Sequence, residues 1–206
     1  MNNSEPKALA SSLAPDRRAF ERPQMVLRVG LLEQQGKSSF CLLRNISPKG
    51  VQVKLYSTVS DGPVGLRVGD ECIISGRIVW ARNGLAGIAF DDALDPTLLL
   101  RVRQVLGPNR RRASPRARAS AFAILRTGGR EYSAKLCDIS TSGAKILTVK
   151  PIDPGRNAVL LLPKMPPLRA FVRWTQEQDT GLIFETPIPM HIISQWLTDQ
   201  PQVTVS

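Results

Sequence analysis

Two arginines four residues apart occur twice in this chain of 206 residues, and each pair is followed by a short polar motif. Arg18 and Arg22 stand in "RRAFER" and Arg112 and Arg116 in "RRASPR"; the polar motifs are "NISPKG" (45–50) and "DISTSG" (138–143). A guanidinium is a planar fork of donors that fits a phosphate, or the O6 and N7 edge of guanine, with two parallel hydrogen bonds. On an extended segment, at about 3.3 Å per residue, two such groups reach about 13 Å apart, which spans a small dianionic nucleotide. Pro23 and Pro115 disfavour helix at the residue before them, so the arginines are placed to wrap a ligand rather than to line one helical face. Asp138 can accept two hydrogen bonds from the N1 and N2 donors of guanine, Ser140 adds a hydroxyl, and Gly143 permits a positive φ or a close approach of backbone to ligand. In the first motif Asn45 carries one acceptor oxygen and an NH2 that would face those same donors, so with Ser47 and Gly50 it makes the weaker site. "SPKG" remains a good turn, with Pro48 and Gly50 where a type I turn favours them.

These residues need a scaffold, and the scaffold is written twice. Arg22 precedes Asn45 by 23 residues and Arg116 precedes Asp138 by 22. Trp80 follows Gly50 by 30 and Trp174 follows Gly143 by 31; the steps from Trp to Gly (Gly87, Gly181) and on to Phe (Phe90, Phe184) are seven and three in both halves. Self-similarity at this scale marks a duplicated structural unit. Between the arginines and the end of each unit lie short apolar or alternating runs, "QMVLRVGLL", "SFCLLRNI", "GVQVKLY", "ECIISGRIVW" and "LAGIAF" in the first, "SAFAILRT", "YSAKLCDI", "GAKILTV", "AVLLLP", "RAFVRW" and "TGLIF" in the second. Gly, Pro, Asn and Asp separate them, which predicts five or six short antiparallel strands per unit, closed as a small barrel or packed as a sandwich. Each unit ends in a predicted short helix, at 95–106 and 187–199. "GPN" (107–109) marks the boundary. The expected organisation is a disordered tail over 1–15, domains over 16–107 and 108–200, and a tail over 201–206. Trp80, Trp174, Phe90 and Phe184 are assigned to core. Arg110 and Arg118 fall outside the repeated pattern and are assigned a solvated or steering role.

The net charge of +11 calls for an anionic partner. The second half is the more basic, with 14 basic residues against 7 acidic ones over 108–206, compared with 13 and 9 over 16–107. A single histidine, His191, excludes paired-His catalysis and His-rich metal sites, and no GxxxxGK[ST] is present. Neither a catalytic residue nor a metal or cofactor is therefore expected, and the chain is read as no enzyme. Cys41, Cys72 and Cys137 form no CxxC pair, no apolar run approaches the roughly 18 residues of a membrane span, and no signal peptide is evident, so a cytoplasmic location is expected. A basic small barrel that binds single-stranded nucleic acid is the alternative, disfavoured because the repeated aromatics fall at strand ends instead of interleaving with arginine.

The order RxxxR, [DN]xSxxG, then a strand with Trp and a "G-x-x-F" ending resembles the PilZ domain, here two in tandem over about 16–106 and 110–199. The resemblance implies an all-β-dominated fold of two six-stranded antiparallel barrels, each followed by a short C-terminal α-helix. It also implies a bacterial second-messenger receptor that binds cyclic di-GMP. Arg112, Arg116, Asp138, Ser140 and Gly143 would form the site of the second domain, and Arg18, Arg22, Asn45, Ser47 and Gly50 that of the first. An extra arginine directly before RxxxR goes with a stacked ligand dimer in the family, and Arg17 and Arg111 occupy that position. The implied consequence is a change in domain arrangement signalled to a downstream protein. A pair of degenerate domains that binds protein alone is the remaining alternative.

Overall fold

The computed structural model of the chain describes residues 24–69, 72–95 and 115–200. Arg17, Arg18, Arg22, Arg110, Arg111 and Arg112, the expected boundary at 107–109, both expected tails, and all but the first residue of the helix expected over 95–106 lie outside the described residues.

Twelve strands are described. The first six are β1 (Gln24–Gln34), β2 (Lys37–Ser47), β3 (Gly50–Leu55), β4 (Gly62–Val68), β5 (Cys72–Arg82) and β6 (Leu85–Phe90). The second six are β7 (Ala117–Thr127), β8 (Arg130–Ser140), β9 (Gly143–Thr148), β10 (Asn157–Leu161), β11 (Leu168–Gln176) and β12 (Asp179–Phe184), followed by helix α1 (Met190–Thr198). Each set closes into an antiparallel barrel, in the order β1-β2-β3-β6-β5-β4 and, correspondingly, β7-β8-β9-β12-β11-β10. Closure leaves neither barrel a long free edge. The expected pair of six-stranded barrels is thus present, with one helix after the second among the described residues. That helix is too short to span a membrane, as is every described helix.

Strand alternation fills each interior. Leu43, Val53, Leu66 and Ile78 meet inside the first barrel, and Leu125, Leu136, Ile146 and Leu160 inside the second. Turn chemistry closes the hairpins: Asn83 and Gly84 at the β5–β6 turn have φ of 51° and 70°, and Gly128 and Gly129 at the β7–β8 turn 56° and 73°. Paired positive φ values match the strand twist, which is why Asn-Gly and Gly-Gly stand there.

The barrels touch mainly through α1, which packs on β2, and also where β2 meets β7. Leu31 and Phe40 are partners across β1 and β2, and both are 0% exposed although they lie on the outer face of the first barrel. They belong to the apolar cluster of the second barrel, with Val29 packed beside them and Ile193 and Trp196 of α1 inside it. The Trp196 indole N–H donates to the Pro163 carbonyl at 2.8 Å, satisfying the polar atom of a buried ring.

Candidate functional site on the outer face of the second barrel

A strand of period two puts Leu136, Asp138 and Ser140 on one face. Only a break in phase allows Leu136 to be core while Asp138 faces out, and the sheet supplies one. The β8–β9 register shifts between Leu136 and Asp138, so Cys137 is an extra residue, Leu136 and Ile139 both point inward, and Asp138 is released to the outer surface. Such bulges re-aim side chains without ending the ladder. Two more occur in this barrel, between Arg118 and Ala121 on β7 and between Val172 and Trp174 on β11. All three flank one lateral row. Across β7, β8, β9, β12 and β11 that row reads Arg118, Asp138, Lys145, Gly181 and Trp174.

Arg116 joins the row from its end. Pro115 and Ala117 on either side of it are buried, so its own side chain is turned outward. Its Nη1 donates to Asp138 Oδ1 at 2.5 Å, with side-chain exposures of 19% and 23%. The second arginine of RxxxR and the aspartate of DxSxxG are therefore in contact. Further lone pairs of the carboxylate and further N–H groups of the guanidinium remain. Next along the row, Lys145 Nζ donates to Asp179 Oδ2 at 3.0 Å. That hydrogen bond raises the Lys145 pKa above its ordinary value, against a smaller opposing effect of burial, so the amine is a cation at neutral pH.

Ser140 is buried, and its hydroxyl donates to the Gly143 carbonyl at 3.2 Å and accepts from the Ser142 N–H at 3.4 Å. The side chain thus closes the motif's own turn. Gly143 is required for packing: a Cβ there would lie 2.3 Å from the Leu182 carbonyl oxygen, and its φ is not positive. The close approach at this glycine is to strand β12, a packing contact different from the approach of backbone to ligand expected from the sequence. The turn is also tied to the approach of α1, since Phe184 N–H donates to the Ser142 carbonyl (2.9 Å) and Ile188 N–H to the Thr141 carbonyl (2.7 Å).

The first barrel repeats this frame with other chemistry. Its row is Met25, Asn45, Gln52, Gly87 and Trp80, with bulges at the matching places. Asn45 Nδ2 donates to Gln52 Oε1 at 2.8 Å, and Ser47 Oγ to the Gly50 carbonyl at 3.2 Å. A Cβ on Gly50 would meet the Ile88 carbonyl oxygen at 2.5 Å. Phe90 and Leu94 N–H groups bond the Lys49 and Pro48 carbonyls at 2.9 and 2.8 Å, as their counterparts do in the second barrel.

Two assignments made from the sequence change. Phe184 is core and Phe90 packs against the first core, but Trp80 and Trp174 are half-buried on the outer faces. Each indole covers its glycine, where a Cβ would run into the ring at Nε1. The recurrent seven-residue step from Trp to Gly is this cross-strand stack. Arg118, set aside as outside the pattern, is exposed as expected but stands opposite Asp138 in register. Sequence reasoning missed Lys145 and Asp179. Counting outward from the two-residue turn at 141–142, before any bulge intervenes, was the signal that pairs Lys145 with Asp138.

Among solved structures, Borreliella burgdorferi PlzA in complex with c-di-GMP is similar at 12% identity and a TM-score of 0.38, covering 84% of this chain and 85% of that one. Bacillus subtilis MotI/DgrA, an inhibitor of motility, is similar at 13% identity and a TM-score of 0.36, covering 84% and 96%. Escherichia coli YcgR in complex with c-di-GMP is similar at 12% identity and a TM-score of 0.32, covering 82% and 80%. No curated protein matches the chain in sequence. The family model described as PilZ domain matches residues 110–198, so the second repeat of this chain is a PilZ domain.

Proposed function

We propose that the chain is a receptor for cyclic di-GMP, read chiefly by the second barrel. The observation that carries this reading is the Arg116–Asp138 ion pair, which brings the two separated motifs of a PilZ domain into one outward-facing, bulge-presented row. Arg111, Arg112 and Arg116 clamp the phosphates and guanine faces, Asp138 accepts from a guanine N1 and N2, and Ser140 and Gly143 hold the turn against the ligand. Arg111 adds a second, stacked ligand molecule. Arg17, Arg18, Arg22, Asn45, Ser47 and Gly50 form a weaker site on the first barrel, where the row is neutral at Asn45 and Gln52. The first repeat is a second PilZ domain in this reading, and the protein performs no catalysis.

The output is a change in how the barrels sit together, signalled to a downstream protein. The motif turn bonds Ile188 just ahead of α1, and α1 packs on β2 of the first barrel, whose Phe40 joins Leu31 in the apolar cluster of the second, so a turn that shifts on ligand binding moves the contact between the barrels.

Titration calorimetry of the full chain with cyclic di-GMP, and with mixed-sequence single-stranded DNA at two salt concentrations, tests the proposal. Selective, salt-tolerant binding of the dinucleotide is expected, lost in Arg112→Ala/Arg116→Ala and reduced less in Arg18→Ala/Arg22→Ala. A steep salt slope shared by both polyanions overturns it in favour of nucleic-acid binding.

A further inference from the structure

The two outer rows share their frame and differ in charge. In the second barrel Lys145 and Asp179 form an ion pair whose side chains are 32% and 36% exposed. Pairs this open contribute little to stability. The first barrel, with Gln52 and Leu85 at the matching places, closes in the same strand order with the same register, so the fold does not need the pair. Its position is what sets it apart. Lys145 lies between Asp138 on one side and the Trp174–Gly181 stack on the other, and Asp179 reaches it diagonally from the neighbouring strand. From Arg118 to Lys145 the row crosses three strands, about 10 Å at about 4.8 Å per strand. One ligand held by Arg116 covers that distance. A lysine's point charge on a flexible stem suits a contact that changes partner, whereas an arginine fork is tied to one geometry.

We propose that Lys145 is a further ligand contact of the second barrel, held on Asp179 while the site is empty and passed to a phosphate oxygen of the bound dinucleotide. Asp179 is then a competitor of the ligand and sets the threshold for binding. The inference rests on the cyclic di-GMP reading above.

The two residues of a merely structural pair respond alike to substitution, because either change breaks the same bond. A hand-over predicts opposite signs. With cyclic di-GMP as the titrant and the full chain as receptor, Lys145→Gln is expected to weaken binding about tenfold or more, the scale of one charge-assisted hydrogen bond. Lys145→Arg should recover most of that loss, and Asp179→Asn should tighten binding at least twofold by freeing the lysine. Thermal midpoints of all three should stay within about 2 °C of the parent, as for an exposed pair. If Lys145→Gln and Asp179→Asn weaken binding together, or if neither changes it while Arg112→Ala/Arg116→Ala abolishes it, the hand-over is wrong and the receptor reading stands. If the unsubstituted chain does not bind, the receptor reading falls and the hand-over falls with it.

Discussion

Asp138→Asn places in the second barrel the residue that the first barrel carries at Asn45, with almost no change of size. Asp138 holds Arg116 at 2.5 Å, and both side chains are about four-fifths buried. Removing the charge from one partner of such a bond costs roughly 1–2 kcal/mol, because the amide oxygen still accepts and the arginine keeps some access to water. For a chain of this size that is a fall of about 2–8 °C in thermal midpoint. Ligand affinity should fall further. The substitution turns an NH2 toward the guanine donors and also loosens the arginine that faces the phosphate, so two charge-assisted bonds weaken, at about 1.5 kcal/mol each. A total near 3 kcal/mol is about a hundredfold in Kd. Calorimetry with cyclic di-GMP, run beside a thermal melt, separates the two effects. An affinity within threefold of the parent, alongside the expected fall in midpoint, would show that Asp138 serves the fold alone and refute the assignment.

Gly143→Ala should destabilise the chain without any ligand, because its Cβ would lie 2.3 Å from a backbone oxygen that cannot step aside. A cost of about 1–3 kcal/mol is expected, visible as a lower urea midpoint, and an unchanged midpoint would contradict the packing role. Burial pushes the Cys41 thiol up to about 12 from 9.0, opposed in part by a hydrogen bond from the Gly30 backbone, while Cys137 is raised by burial less completely. Native protein at pH 8 should therefore be alkylated by iodoacetamide at Cys137 well before Cys41; equal rates would show the first barrel to be open. A folded pKa above the unfolded one means stability that is present below about pH 9 and lost as pH rises toward 12. Between those limits the parent should lose stability more steeply with pH than Cys41→Ala in urea unfolding, and equal slopes would contradict the burial of the thiol.

The duplicated spacing made the barrels and the motif loops legible, because Gly50, Gly143, Trp80 and Trp174 each answer to a backbone requirement that recurs at fixed distance. One strand escaped. In β4, "GPVGLRV", two glycines and a proline dilute the apolar signal, yet Pro63 costs the sheet nothing because β1 pairs with β4 only from Gly65 to Arg67. The outward turn of Asp138 was equally hidden. A strict alternation through "KLCDIS" assigns Leu136 and Asp138 to one face, and the bulge at Cys137 that separates them has no residue signature of its own. The contact between barrels had a trace that went unread: in "QMVLRVGLL" apolar residues occupy both faces, as they must where Leu32 is core and Val29 and Leu31 lie under a second layer.

That second layer runs in one direction. The first barrel offers α1 two large apolar side chains, Leu31 and Phe40, both fully enclosed. By the spacing of the repeat their places in the second barrel belong to Ile124 and Ser133, partners in the same register, with Ser133 exposed. A serine at that place removes the largest apolar group of the patch, so a helix has far less to bury there. The charged row shows the opposite bias, rich in the second barrel and neutral in the first. Duplication kept the turn, the glycine, the Trp stack and the two hydrogen bonds that tie the turn to the segment after the last strand. What diverged is the outer surface at two places, one now suited to holding a helix and the other to holding an anion. Because the same turn borders the charged row and bonds the entry to that helix, the asymmetry fits the receptor proposed above, in which the second barrel would read the ligand and the first would be the surface against which the reading is felt.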